Sequence, residues 1–257
     1  MSDNEVMLQV VRLSKSFGAV QSLDDVSFQV RRSEIVGLVG DNGAGKSTLV
    51  NLLMGVFSPD SGKIVFEGRD VSFASPRESR SVGIEPVYQH SAIIELMNMW
   101  RNFFLGREKT RKVGPFHVLR QKEMSAECFD VMNDIGVHVR SGEEGVNFLS
   151  GGERQSLCIG RCMKFGAKLL LLDEPTTALS IKETKKVLEF ALSVRNKGMS
   201  EIIIDHNIYH IYPIVDKFVV LDRGKVVAEL RKTDVTPEDV IKVITSGKAK
   251  TNSYDEE

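Results

Sequence analysis

Apolar residues near the start of the chain come in short runs separated by turn formers. Residues 8–13, 26–30, 35–39 and 64–66 read as strands of an antiparallel layer, the last following the turn Pro59-Asp60-Ser61-Gly62. One helix interrupts them, beginning at Gly45 or Lys46 and carrying Leu49, Leu52 and Leu53 on one face. Residues 35–39 are apolar apart from Gly37, the pattern of a central strand buried on both faces, and they run directly into a glycine-rich loop. From about residue 91 to 166 the spacing turns helical, with Met97, Trp100, Phe103 and Phe104, then Cys128, Val131, Met132 and Ile135, three or four apart. Strand and helix patterns then alternate: strand 168–172, helix 181–196, strand 201–204, helix 208–215 and strand 218–221. Asp222-Arg223-Gly224-Lys225 reads as a hairpin turn into 226–230, and Pro237 opens a short last helix. The prediction is an α/β fold in one domain over 1–247, with an antiparallel β subdomain, a helical subdomain inserted at about 91–166, and a polar tail over 248–257.

Composition narrows the class. With 257 residues and 42% hydrophobic content, the chain buries a full core and has room for a subdomain. The formal net charge of -1 removes any global electrostatic case for nucleic acid. Its longest apolar runs, such as 169–172, fall far short of the roughly 18 to 20 residues that cross a bilayer. The start, Met-Ser-Asp-Asn-Glu, is polar and acidic, unlike a signal peptide, so a soluble cytoplasmic protein is expected. Cys128, Cys158 and Cys162 are an odd number without metal spacing, which fits buried packing in a reducing compartment.

The chemistry begins at Gly40-Asp41-Asn42-Gly43-Ala44-Gly45-Lys46-Ser47-Thr48. A G-x-x-x-x-G-K-S run between a buried strand and a helix is a P-loop, which makes the core that of a RecA-like P-loop NTPase. Its glycines let successive N–H groups turn inward, and the helix adds its positive end. Lys46 supplies a full charge between the outer phosphates, and the Ser47 hydroxyl is placed to hold Mg²⁺. Further on, four leucines end in Asp173-Glu174, putting carboxylates at the C-terminal end of a central strand. Asp173 would hold the magnesium through its water shell, and Glu174, one residue on, would reach the attacking water as general base.

A second anion site is predicted at Leu149-Ser150-Gly151-Gly152-Glu153-Arg154-Gln155. Ser150 and Glu153 have capping-box spacing. Gly151 and Gly152 in the first turn cost about 1 kcal/mol each in helix propensity, yet bare N–H groups to a phosphate.

These two stretches resemble the nucleotide-binding subunits of ABC transporters, and the resemblance covers residues 8 to about 247. It implies that two subunits sandwich two ATP molecules, each held by one subunit's P-loop and the other's Ser150–Glu153 stretch. It also implies that closure on ATP and reopening after hydrolysis drive a membrane permease from the cytoplasmic face. Phe17 is similar to the aromatic that stacks on adenine; as a β-layer core residue it would be buried instead. Gln89 resembles the glutamine that reaches Mg²⁺ and the water, and His206 the switch histidine that touches the γ-phosphate. The spacing of His206 and His210 invites a zinc reading, but no acidic third ligand accompanies them. Two positions depart from the family pattern. Ser180 stands where most relatives carry an aspartate, and Asp205 precedes the switch histidine, which places an extra acid near the γ-phosphate region.

Within that family, Phe73-Ala74-Ser75-Pro76, residues 83–89 and Ala178-Leu179-Ser180 resemble ATP-binding subunits of importers for ribose, xylose and fructose. An external solute-binding protein is then an indirect partner, and the permease is gripped between Gln89 and about Arg107, where Met97, Met99, Trp100, Phe103 and Phe104 crowd. Half or more of those side chains are expected in the subdomain core, leaving the rest to line a groove for a helix of the permease. Rival readings are an ABC ATPase for another small solute, a soluble ABC ATPase, a P-loop kinase or GTPase, and a non-hydrolysing cassette. The Ser-Gly-Gly stretch argues against the kinase, and Lys46, Asp173, Glu174 and His206 against the last.

Overall fold

Alternation at the start of the chain builds a hairpin. In β1 (Val6–Phe17) and β2 (Val20–Arg31), Leu8, Val10 and Leu13 face inward with Leu23, Val26, Phe28 and Val30. The computed structural model describes residues 5–87, 93–137, 139–177 and 180–247, and they divide into two units, Met1–Val87 with Lys168–Glu257, and Tyr88–Ala167. In the first unit, β4 (Ser61–Phe66) and β5 (Arg69–Val71) complete a four-stranded sheet in the order β2-β1-β4-β5, antiparallel throughout.

β3 (Ile35–Gly40) does not join that layer, although its position between the predicted antiparallel strands suggests it. It lies inside a six-stranded sheet, order β12-β11-β3-β10-β9-β6. Burial on both faces explains this, since Ile35, Val36, Leu38 and Val39 are all inaccessible and only a sheet covered on both sides accepts such a run. α1 (Lys46–Leu53) buries Leu49, Val50, Leu52 and Leu53. The α2 helix (Pro76–Val82) opens with Pro76 and is fixed to the end of α1 by a Ser79 hydroxyl donating to the Leu53 carbonyl at 2.8 Å. β6 (Ile84–Val87) carries Pro86 and accordingly lies at the edge of the sheet, pairing among the described residues with β9 alone.

The second unit contains α3 (Met99–Phe103), β7 (Thr110–Val113), β8 (Phe116–Leu119), α4 (Gln121–Asp134) and α5 (Gly151–Lys164). It is therefore not purely helical: β7 and β8 form an antiparallel hairpin within the stretch read as helical. Met99, Trp100, Phe103 and Phe104 are all within 1% of full burial and pack with Met124, Cys128, Met132 and Leu157. Four of the five side chains at the expected permease grip thus form the core of this unit, in line with the expectation that half or more are core. The buried Asn102 amide is satisfied from its own neighbourhood, donating to the Ile94 carbonyl at 3.0 Å and accepting from the Ile94 N–H at 2.6 Å. Desolvation pushes the Cys128 thiol up to about 12 and the Cys158 thiol to about 11, so both behave as packing residues.

The chain returns to the six-stranded sheet through β9 (Leu169–Asp173), α6 (Ile181–Asn196), β10 (Ser200–Ile204), α7 (Ile208–Ile211), β11 (Lys217–Asp222), β12 (Lys225–Arg231) and α8 (Pro237–Ser246). All neighbours in it are parallel except β11 and β12. α7 is half the length expected from 208–215, because Pro213 lacks the N–H that would bond back to Tyr209. α8 starts as predicted, with Pro237 in its first turn and a capping box between Thr236 and Asp239. The tail over 248–257 lies outside the described residues.

One core position works against stability. Glu201 on β10 stands between Ile35 and Leu170, is fully buried, and neither carboxylate oxygen has a hydrogen-bond partner. Desolvation above all pushes its pKa well up; Asp216 adds to the shift and Arg195 opposes it. The folded chain therefore keeps a proton that the unfolded chain releases above the ordinary carboxylate range. Stability falls as pH rises from that range toward the raised value. Glu201→Leu should stabilise the protein by about 1–3 kcal/mol at neutral to alkaline pH, with the gain shrinking in acid, as measured by urea unfolding at several pH values.

Candidate active site

β3 delivers the chain into the glycine loop at a point with no room for a side chain. A Cβ on Gly40, whose φ is 150°, would lie 2.1 Å from the Leu221 carbonyl oxygen on neighbouring β11. At Gly45, φ 105°, it would lie 2.6 Å from the Ser22 carbonyl oxygen of β2. The β11–β12 turn closes over the loop, with the Gly224 N–H donating to the Ala44 carbonyl at 3.0 Å and the Asp24 N–H to the Gly224 carbonyl at 2.8 Å. Gly45 offers α1 no side-chain cap, and the first helical bond runs from the Leu49 N–H to the Gly45 carbonyl at 3.0 Å. The N–H groups from Lys46 to Thr48 thus have no intrahelical acceptor, the arrangement that receives phosphate.

Lys46 is buried, and its ammonium donates to the carbonyls of Gly40 and Asp41, both at 2.8 Å. Burial holds its pKa below the usual lysine range against the opposing pull of Asp41, Glu174 and Asp173. Asp41 accepts the Asn42 N–H at 2.9 Å, so its carboxylate braces the loop from within. Ser47 is exposed on the cleft, whereas the Thr48 hydroxyl meets the Ser22 hydroxyl at 2.7 Å. Phe17, at the end of β1, is 43% exposed and stands edge-on to Phe57 with centroids 5.1 Å apart. It belongs to the surface of its sheet, with the Lys15 ammonium over the ring at 5.6 Å from its centroid.

A cleft of about 180 Å³ joins this loop to the ends of β9 and β10, with Lys46, Ser47, Asp173, Glu174 and His206 among its walls. Partial desolvation and then the adjacent Glu174 carboxylate raise the pKa of Asp173, while Lys46 and His206 lower it. Glu174 sits at φ 49°, a strained conformation for a non-glycine residue, held by its N–H donating to the Ile204 carbonyl at 2.8 Å. Its Oε1 is 2.6 Å from His206 Nε2, and its Oε2 accepts the Thr177 hydroxyl at 3.3 Å. Carboxylate and hydroxyl oxygens, with no thiol or imidazole cluster, form a donor set for a hard cation such as Mg²⁺. Among the described residues no group of three or more His, Cys, Asp or Glu is arranged to hold a metal ion.

Asp205 is not in this cleft, contrary to the expectation of an extra acid beside the γ-phosphate. It is buried, and its Oδ2 accepts the Thr176 N–H at 3.2 Å and the Thr176 hydroxyl at 2.7 Å, while its Oδ1 accepts the Asn207 N–H at 2.9 Å. With its O–H donated to Asp205, the Thr176 hydroxyl oxygen accepts from His210 Nδ1 at 2.9 Å. That assigns His210 the Nδ1–H tautomer, whose bare Nε2 accepts the Asn207 amide at 3.1 Å. His210 stands out in the sequence only for its spacing from His206, and the roles of Thr176 and Asn207 are not legible there because nothing local marks them. Together they tie the turn after Glu174 to the segment carrying His206.

In the second unit, Ser150 caps α5 as predicted. Its hydroxyl accepts the Glu153 N–H at 3.3 Å, and the Glu153 carboxylate accepts the Ser150 N–H at 2.7 Å, the bond that chiefly holds the Glu153 carboxyl below its usual range. Gly151 and Gly152 are the first two residues of the helix. Gln89 lies outside the described residues, as do Ala178 and Leu179.

Residues 23–177 match the ABC transporter family. The chain is 42% identical over 246 residues to a xylose/arabinose import ATP-binding protein of Sulfolobus acidocaldarius, covering 96% of this chain and 95% of the relative. It is 35% identical to a fructose import ATP-binding protein of Rhizobium meliloti, covering 95% of each. A ribose import ATP-binding protein of Caldanaerobacter subterraneus is 32% identical over 96% of this chain, which spans 49% of that relative. Among solved structures, the ADP conformation of an ATP-binding cassette superposes with a TM-score of 0.75 at 24% identity, over 94% of this chain and 96% of the other, a likeness of fold.

The Asp205 network makes a separable prediction. Asp205→Ala strands the buried N–H and hydroxyl of Thr176 and removes the acceptor of the Asn207 N–H, and should lower stability by about 1–3 kcal/mol in urea unfolding, while nucleotide capture by the Lys46 loop, measured by fluorescent-analogue titration, stays within twofold, about 0.4 kcal/mol.

Proposed function

This chain belongs to the ABC transporter family, and from that premise we propose that it is the ATP-binding and ATP-hydrolysing subunit of a monosaccharide importer. Two copies close on two ATP molecules, with the glycine loop and Lys46 of one copy and the Ser150–Glu153 helix start of the other gripping each triphosphate. Phe17 stacks on the adenine. The observation that carries the reading is the Glu174–His206 contact at 2.6 Å in the same cleft as Lys46. Ser47 and Asp173, with Gln89, would hold Mg²⁺, which supplies charge neutralisation on the phosphate oxygens when bound.

Each protein group has a physical task. The N–H groups at the start of α1 and the Lys46 ammonium orient the phosphates. As the γ-phosphate arrives, Lys46 trades a carbonyl acceptor of its own loop for an ionised oxygen, which strengthens its hydrogen bond. Glu174 takes the proton of the attacking water at a carboxylate oxygen, and His206 orients that carboxylate and contacts the γ-phosphate. The strained backbone at Glu174 aims the carboxylate before substrate binds.

No helix of the described residues is long and apolar enough to cross a membrane, which suits a subunit bound peripherally at the cytoplasmic face of the membrane beneath a separate permease. The cargo assignment to pentoses or hexoses draws on the xylose/arabinose and fructose import relatives, which align along nearly their whole length. An external solute-binding protein would deliver the sugar, and no nucleic acid takes part.

Glu174→Gln should keep ATP affinity, lower turnover by about 10²- to 10⁴-fold and convert the chain to a dimer on size exclusion with ATP. Unchanged turnover, or a monomer at high concentration with ATP, would contradict the reading. Ser150→Arg should abolish hydrolysis and dimer formation while leaving ATP capture intact; simultaneous loss of capture would mean that the two phosphate sites are not distinct.

A further inference from the structure

Residues 110–120 are exposed without a break, and they include the β7–β8 hairpin with Gly114 and Pro115 at its turn. Val113 pairs with Phe116 and Arg111 with Val118, so these four side chains share one face of the ribbon; Thr110 with Leu119 and Lys112 with His117 form the other. Phe116 is 71% exposed and Val113 50%, and Val118 and Leu119 are exposed as well. A two-stranded ribbon that gives water apolar side chains on both faces gains nothing from them within its own fold.

Its charge is as unusual as its exposure. Between residues 109 and 122 stand Lys109, Arg111, Lys112, Arg120 and Lys122 without a single Asp or Glu, in a chain whose net charge is -1. Glu123 and Glu127 engage Lys109, and Glu123 engages Arg120. Arg111, Lys112 and Lys122 have no carboxylate partner among the described residues.

We propose that the β7–β8 hairpin is a membrane-surface anchor that seats Val113 and Phe116 at the acyl boundary of an anionic bilayer and sets Arg111 and Lys112 among the lipid headgroups. A strand advances about 3.3 Å per residue. Arg111 and Lys112 therefore stand roughly 3–7 Å behind Val113, the separation of headgroup and acyl levels for segments that bury about 5–10 Å into an interface. Each face of the ribbon carries a cation and exposed apolar surface, Val113, Phe116 and Val118 beside Arg111 and Leu119 beside Lys112. A bilayer that surrounds an inserted tip satisfies both faces at once, whereas a protein groove covers one. The anchor deepens the importer reading and rests on it only for the membrane at which the chain works; lipid binding is measured without nucleotide, so the two fail independently.

The test is co-sedimentation of the full chain with vesicles of pure phosphatidylcholine and of equimolar phosphatidylcholine and phosphatidylglycerol. Binding should need phosphatidylglycerol and weaken with salt. Arg111→Gln with Lys112→Gln should reduce it about fivefold per cation, and Val113→Ser with Phe116→Ser should remove the part that survives high salt. Both double variants should keep the ATPase rate of the unaltered chain. Phe116→Trp should shift its emission to the blue on the anionic vesicles, against a constant signal from buried Trp100, the one native tryptophan. Absence of vesicle binding, equal binding by all variants, or an unshifted Phe116→Trp in the bound chain overturns the anchor. So does an apolar double variant that binds vesicles normally but no longer co-purifies with the permease in detergent, which would make the hairpin a protein-docking element.

Discussion

The nucleotide cleft depends on a backbone approach too close for any side chain. Gly40 lies against the Leu221 carbonyl and Gly45 against the Ser22 carbonyl, so the loop is wedged between the end of β11 and strand β2. A methyl group at either position pushes backbone against backbone, with no flexible side chain to yield. The wedge fixes where the first N–H groups of α1 point, and the Gly224 turn locks it from above through Ala44. It also explains the placement of β3. Only a strand held by β10 on one side and β11 on the other can bring Gly40 to Leu221 in register, as the pairing of the two residues records.

Electrostatics in the cleft follow from that rigidity. Lys46 cannot swing out to solvent without abandoning two carbonyl bonds, and burial already disfavours its charged form. Opposite it stand adjacent carboxylates, of which Asp173 is pushed up by desolvation and by Glu174. Such a site repels a bare triphosphate at one wall and attracts it at the other. A divalent cation held by these acids would relieve the conflict, and the hydroxyl and carboxylate oxygens on the wall facing Lys46 form a donor set suited to one.

What was legible in the sequence is what local spacing determines. The capping box at Ser150 and Glu153 involves atoms three residues apart, and Pro237 fixes a helix start by itself. The P-loop is legible for the same reason. Membership of β3 in one sheet or the other was not, because its partners come from residues 201–204 and 217–221, far along the chain. The hairpin at 110–119 was hidden for a different reason. Its strands are four residues long and exposed on both faces, so they lack the alternation of buried and exposed positions that betrays a half-buried strand. Trp100, Phe103 and Phe104 are ambiguous in principle, since core and docking surface use the same residue types, and only the packing against Met124 and Met132 assigned them.

β10 shows why the direction of a side chain matters more than its charge. The strand is bracketed by two buried acids, Glu201 near its start and Asp205 just past its end. Glu201 projects between strands whose N–H groups are already committed to the parallel ladder, so nothing remains to bond its oxygens. Asp205 lies where the ladder stops and backbone N–H groups of Thr176 and Asn207 are free to converge on it. The same functional group is therefore a liability at one end of the strand and a fastening at the other. The fastening lies at the end where β9 and β10 present Glu174 and His206, and there a buried side chain that accepts three hydrogen bonds holds two loops in one relative position without entering the cleft they form.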